Sequence, residues 1–137
     1  MNRLAVIEEP RWISKAILLS IHAQQIERYG GSHGVVDKNV VLSALARPRN
    51  RWAYEIVSDY ADLGAAYLVG FARSQGFNDG NKRTAVACAL VFLVINGFRL
   101  HVHPGELYAL TMKAATKQAD DSTISAYLRE RLVPVGA

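Results

Sequence analysis

Residues 77–100 read FNDGNKRTAVACALVFLVINGFRL. The stretch changes character once. Phe77 to Arg83 is a polar, glycine-broken cluster carrying Asp79, Asn81, Lys82 and Arg83, and Ala85 to Ile95 is an unbroken apolar run closed by Asn96-Gly97. Those 11 apolar residues fall well short of the roughly 20 that a bilayer span needs. They predict a core helix from about Asn81 to Ile95. A helix apolar nearly all round is expected at the centre of a bundle, with its neighbours wrapped about it.

Working towards the N-terminus, Asp59 is a natural cap for a helix running through Leu63, Ala66, Tyr67 and Val69 to about Arg73. Pro48 to Tyr54, PRNRWAY, reads as a basic, aromatic-bearing exposed loop or flap. Before it, Asp37 caps a short helix reaching Leu45, which Pro48 keeps from continuing far. Trp12 to Tyr29 places Trp12, Ile13, Ala16, Ile17, Leu19, Ile21, Ala23 and Ile26 broadly on one helical face, and Gly30-Gly31 ends it. Towards the C-terminus, FRLHVH (98–103) suits a short extended piece with Arg99, His101 and His103 on one side. Pro104 opens a helix to about Lys117, and Asp121 or Ser122 opens a last one to about Leu132. With no repeat or linker in view, residues 1–137 predict a single all-α domain, a compact bundle of about six helices around a central apolar helix.

Composition narrows the function. Half of the residues are hydrophobic and 20% charged, an ordinary globular balance. Glu8 and Glu9 interrupt any secretory signal near the start. The lone Cys88 cannot form an intramolecular disulfide and fits a reducing, cytoplasmic setting as a small buried hydrophobe. A net charge of +4 favours anionic partners. The basic residues are scattered and match no nucleic-acid motif, so neither a specific nucleic acid nor a membrane is expected as a partner.

The chemistry concentrates where the core helix begins. Its first N–H groups lack intrahelical partners, and the helix dipole makes that end positive. Lys82 and Arg83 in the first turn oppose the dipole, a local conflict that a bound phosphate would resolve. Gly80 leaves room for such a ligand, and Asp79 offers a hard oxygen of the kind that holds Mg²⁺ beside phosphate oxygens. The alternative is a solvated turn whose basic residues face water. Of the histidines, His22 lies on the first helix and reads as packing or surface, and His33 sits in the glycine-rich loop. His101 and His103 could share a strand face but have no third metal ligand at suitable spacing.

FNDGNKRTAVACALVFLVINGFRL resembles the signature of the Fic/Doc superfamily, His-x-Phe-x-Asp-Gly/Ala-Asn-Lys-Arg, in its Doc (death-on-curing) toxin branch. IHAQQIERYGGSHGVVDKNVVLSALARP and WAYEIVSDYADLGAAYLVGFAR are similar to the segments that precede the signature in that family. The likeness extends from about Ile13 to Glu130. It implies a Fic/Doc-like fold and a nucleotide-dependent transferase using ATP and Mg²⁺. Fic-type members transfer AMP, and they carry Gly in place of Lys82 and a second Arg in place of Val86. Both departures are shared with Doc, which is similar to a kinase that phosphorylates a threonine of elongation factor Tu. A Phd-type antitoxin neutralises Doc by laying a peptide helix into a groove. The resemblance assigns Asp79 to the metal, and Gly80, Asn81, Lys82 and Arg83 to the phosphates. It makes Phe77 a loop anchor and Arg73 a contact to nucleotide or target, and it places Arg49, Arg51, Trp52 and Tyr54 in a target-docking flap.

Gln75 stands where the family has its catalytic histidine. A carboxamide can orient the attacking hydroxyl but cannot take its proton near neutral pH. Loss of a general base typically costs about 10²- to 10⁴-fold, so the chain is expected to be impaired. An introduced or selected change in a toxin and a natural member turned binding module both fit. Retention of Asp79, Asn81, Lys82 and Arg83 favours the former.

Overall fold

The computed structural model describes residues 4–6, 8–54 and 58–135. Six helices follow in order: α1 (Lys15–Tyr29), α2 (Lys38–Tyr54), α3 (Tyr60–Arg73), α4 (Asn81–Ile95), α5 (Pro104–Ala115) and α6 (Asp121–Arg131). Two short strands, β1 (Phe98–Leu100) and β2 (Leu132–Pro134), pair antiparallel, with Arg99 opposite Val133. The expected all-α bundle is therefore present, closed by a small ribbon. One buried cluster draws side chains from every element, among them Leu18, Val41, Leu68, Phe92, Phe98, Leu107, Leu128 and Leu132.

The central apolar helix is α3 rather than the Ala85–Ile95 run. Leu63 to Val69 is buried without a break, and α3 packs against α2, α4, α5 and α6. Small residues permit this. A Cβ on Gly64 would already lie 3.4 Å from Leu93, so α3 and α4 approach closely there. By contrast, α4 buries one stripe, from Thr84 and Ala85 through Cys88 and Ala89 to Phe92 and Leu93, and leaves Val94 exposed. Its other apolar residues are only half-buried.

The α1 helix begins at Lys15, capped by Ser14, and not at Trp12. Trp12 and Ile13 form a lead-in instead. The Trp12 ring stacks on Phe92, and the Ile13 N–H donates to the Tyr67 hydroxyl. Gly30 and Gly31 both have positive φ after the helix ends.

The α2 helix corrects the expectation of a stop before Pro48. It runs through Pro48 to Tyr54, so PRNRWAY is helical and not a loop or flap. Proline removes one backbone hydrogen bond and crowds the preceding turn. Here tertiary bonds outweigh that local loss. Arg47 donates both terminal nitrogens to the Asp121 carboxylate at 2.8 Å and one of them to the Ala66 carbonyl, while Arg51 donates to the same carboxylate. Pro48 itself is buried.

His101 and His103 do not share a strand face. The strand ends at Leu100, and His103 caps α5 by accepting the Gly105 N–H at Nδ1. Among the described residues, no helix is long and apolar enough to cross a membrane. No group of three His, Cys, Asp or Glu there could hold a metal alone. Burial pushes the Cys88 thiol up to about 12, which keeps it neutral and chemically quiet.

Candidate active site at the start of α4

The segment joining α3 to α4 is held from three directions. The loop after α1 runs antiparallel to it, with a bridge between Val35 and Phe77. The Val36 and Asp37 N–H groups donate to the Gly76 carbonyl, and the Asn78 N–H donates to the Gly34 carbonyl. From the other side the start of α2 presses in. A Cβ on Gly76 would fall 2.5 Å from Val41 Cγ2 and 3.1 Å from the Asp37 carbonyl oxygen. Gly76 is therefore a close-approach position.

The third support is α1. His22 is buried, stacks on the Phe77 ring at 3.9 Å, and donates from Nε2 to the Asp79 carbonyl at 2.7 Å. A carbonyl only accepts, so Nε2 carries the hydrogen in this bond. Phe77 is buried as the sequence reading has it. The role of His22 went unseen, although a signal existed. His22 interrupts the buried stripe Leu18–Ile21–Ile26, and a histidine on a core-facing stripe needs a polar partner.

Asp79 and Gly80 follow. Asp79 Oδ2 accepts the Ser32 N–H at 2.7 Å, which turns the carboxylate towards the loop after α1. Gly80 is left-handed at φ 78°, and a Cβ there would meet Ile26 at 3.1 Å. Glycine is thus demanded by conformation and packing before any ligand is considered. The Asn81 side chain closes the turn on itself, accepting the Phe77 N–H and donating to the Phe77 carbonyl. Its amide is committed to the loop.

Past that turn, α4 starts with no side-chain cap. Every other helix has one, from Ser14, Asp37, Asp59, His103 or Asp120. Lys82 is half-buried, and Arg83 is exposed at the helix mouth. The Arg83 guanidinium lies 4.1 Å from the centre of the Tyr29 ring and 5.3 Å from that of Tyr108. Two aromatic faces hold the charge near the helix start without consuming its hydrogen-bond donors. Gln75 is exposed and makes no hydrogen bond with the described residues.

Arg73, which the resemblance makes a contact to nucleotide or target, has two of its nitrogens engaged within the protein. Its Nε donates to the Ala114 carbonyl and a terminal nitrogen to the Ala119 carbonyl, so it ties α3 to the end of α5. The same holds for a hollow of about 660 Å³ between α2 and α3, lined by Arg47, Arg73, Asn50 and Ser74 among others. Both of its arginines already point at protein oxygens, so size alone does not make it the anion site. Arg49, Arg51, Trp52 and Tyr54 lie on helical α2 rather than in the expected loop. Trp52 packs edge-on against Trp12, and Arg51 pairs with Asp62 and Asp121.

The sequence pattern of the family described as Fic/DOC matches residues 12–93, a span that takes in α1 to α3, most of α4 and the whole of this loop. The chain belongs to the Fic/Doc family. It is 41% identical over 119 residues to "Protein kinase doc" of Escherichia phage P1, covering 87% of this chain and 94% of that protein. It is 35% identical over 103 residues to "Toxin Doc" of Mycolicibacterium smegmatis, covering 73% of this chain and 79% of the relative. In this Fic/Doc chain the signature residues converge on one turn, supported by α1, α2 and the loop between them.

Proposed function

We propose that this chain is a Doc-like toxin of a toxin–antitoxin pair. Its site is built to move the γ-phosphoryl of ATP onto a threonine of a translation factor of the elongation factor Tu type, in the cytoplasm, and Gln75 leaves it impaired. The observation that carries the reading is the uncapped, doubly basic start of α4 in a chain akin to a named protein kinase. The open N–H groups, Lys82 and Arg83 would bind phosphate oxygens in charge-assisted hydrogen bonds. Asp79 suits Mg²⁺, because Ser32 takes only Oδ2 and this ion accepts one carboxylate plus phosphate oxygens. When bound, the ion would neutralise phosphate charge. Gln75, exposed beside the turn, would hydrogen-bond the incoming hydroxyl without accepting its proton.

Restoring the general base tests this. Gln75→His is expected to raise transfer of γ-label from ATP to a protein in a cell lysate by about 10²- to 10⁴-fold, and to slow growth on expression. If neither occurs, the kinase reading is lost. Transfer of α-label instead would mark AMP transfer of the Fic type, which Lys82 and Val86 argue against. Gln75 itself supports a second reading, a non-catalytic module that binds an antitoxin or a translation factor. That reading gains if Gln75→His binds Mg-ATP yet labels nothing.

The antitoxin reading has its own surface. Between α1 and α2 lie two adjoining hollows of about 350 and 400 Å³ that share Lys15 and Leu42. Leu19, Val36 and Leu45 supply apolar wall, and Lys15, Lys38 and Arg49 a basic rim. An amphipathic helix with acidic flanks, of the Phd type, fits that pattern. Trp12 lines one hollow, so a peptide of that type should change tryptophan emission in a saturable titration. A peptide that binds without altering it points to another face.

A further inference from the structure

We infer that His22 is a positioning residue for the phosphate cradle, a latch that keeps the Asp79–Gly80 peptide the right way round. The inference rests on the phosphate-binding reading above and adds to it a residue outside the signature. Three observations carry it. His22 is only 4% exposed. Its Nε2 reaches the Asp79 carbonyl at 2.7 Å across 57 residues of chain. Its ring is stacked flat on Phe77, with 11° between the planes, so its direction is fixed.

The consequence follows from peptide geometry. In a planar trans peptide the C=O and the following N–H point in opposite directions, and the described chain has no cis bond. With the Asp79 carbonyl drawn inward to α1, the Gly80 N–H is directed away from α1, on the side where the α4 start is open. Glycine at 80 makes this conformation accessible, but it also makes a peptide flip easy. A flipped unit would turn a carbonyl oxygen towards the place of a phosphate oxygen and withdraw a donor. Asp79 would be disturbed too, since its carboxylate is set by the Ser32 N–H of the loop after α1. The His22 ring thus holds an electropositive loop in the arrangement that accepts an anion.

Nucleotide binding does not require the general base, so the chain carrying Gln75 serves for the test. Mg-ATP affinity is measured by calorimetry beside the thermal unfolding midpoint, for His22→Phe, His22→Gln and the control Arg83→Ala. His22→Phe keeps the stack and loses the donor; His22→Gln keeps a donor and loses the stack. Loss of the donor is expected to weaken Mg-ATP binding about tenfold, the scale of one buried hydrogen bond, and His22→Gln to recover most of it. A merely structural residue would move the unfolding midpoint in both variants without this split. The latch is overturned if His22→Phe binds like the parent while Arg83→Ala is weakened, or if His22→Gln is as weak as His22→Phe. If Arg83→Ala also binds like the parent, the phosphate cradle itself fails. Nitrogen NMR of the unsubstituted protein gives a measurement independent of variant folding. Nε2 must carry a proton, and an Nε2 without one overturns the latch.

Discussion

Helices α3 and α4 begin within about twenty residues of each other and are finished in opposite ways. At the start of α3, Asp59 accepts the Asp62 N–H while Asp62 accepts the Asp59 N–H, a reciprocal capping box. Both carboxylates then take Arg129. Acid meets the positive end of the helix dipole, and both carboxylates are paired. At the start of α4 there is a left-handed glycine, no side-chain cap and two cations. The first end is finished for stability. The second has no such finish, which is the feature the proposed phosphate site rests on.

The sharpest way to break the comparison is to remove the α3 cap. Asp59→Ala deletes a buried carboxylate, its helix cap and its share of Arg129, and should lower unfolding free energy by about 3 kcal/mol. Urea denaturation measures this; a loss under 1 kcal/mol would mean that the box is ornamental. The same operation at α4 should behave in reverse. Lys82→Ala removes a cation that opposes the dipole, so stability should hold or rise by about 0.5 kcal/mol, while Mg-ATP affinity drops about tenfold. A variant that loses stability and keeps affinity would make α4 an ordinary helix start.

Acid offers the gentlest probe. Hydrogen bonds from the Thr123 N–H and hydroxyl hold the Asp120 carboxyl below its ordinary 3.8. The cap it gives α6 is therefore fully present above that ordinary value and is lost as pH falls through the lowered one. Amide exchange in the first turn of α6 should quicken below about pH 4, whereas the α4 start, which has no carboxylate cap, should show no matching step.

The parts legible in the sequence were those set by local chemistry. The α3 and α4 boundaries follow from Asp59, Gly80 and Asn96-Gly97, each acting within a few residues of itself. The signature turn was equally visible as a cluster of residue types. Longer-range choices were not. Pro48 obeys a local rule that Arg47 and Arg51 overrule through Asp121, some 74 and 70 residues away. The pairing of Val35 with Phe77 is a single bridge, too short to leave an alternating pattern. Arg73 and Asn81 were recognised as polar residues beside the turn, but their partners are main-chain atoms. Carbonyls and N–H groups have no letter in a sequence, so nothing announced that these side chains were already engaged.

The bonds from His22 and Ser32 to Asp79 span 57 and 47 residues, and this bears on the order of events as the chain folds. Closing loops of that length exacts an entropic toll before any contact returns it. Helices α3 and α4 can meet early through neighbouring segments, whereas the turn between them acquires its final shape only when α1 arrives. The turn is therefore expected to settle late in folding, and a slowly docking first helix would delay its final shape without touching a single signature residue.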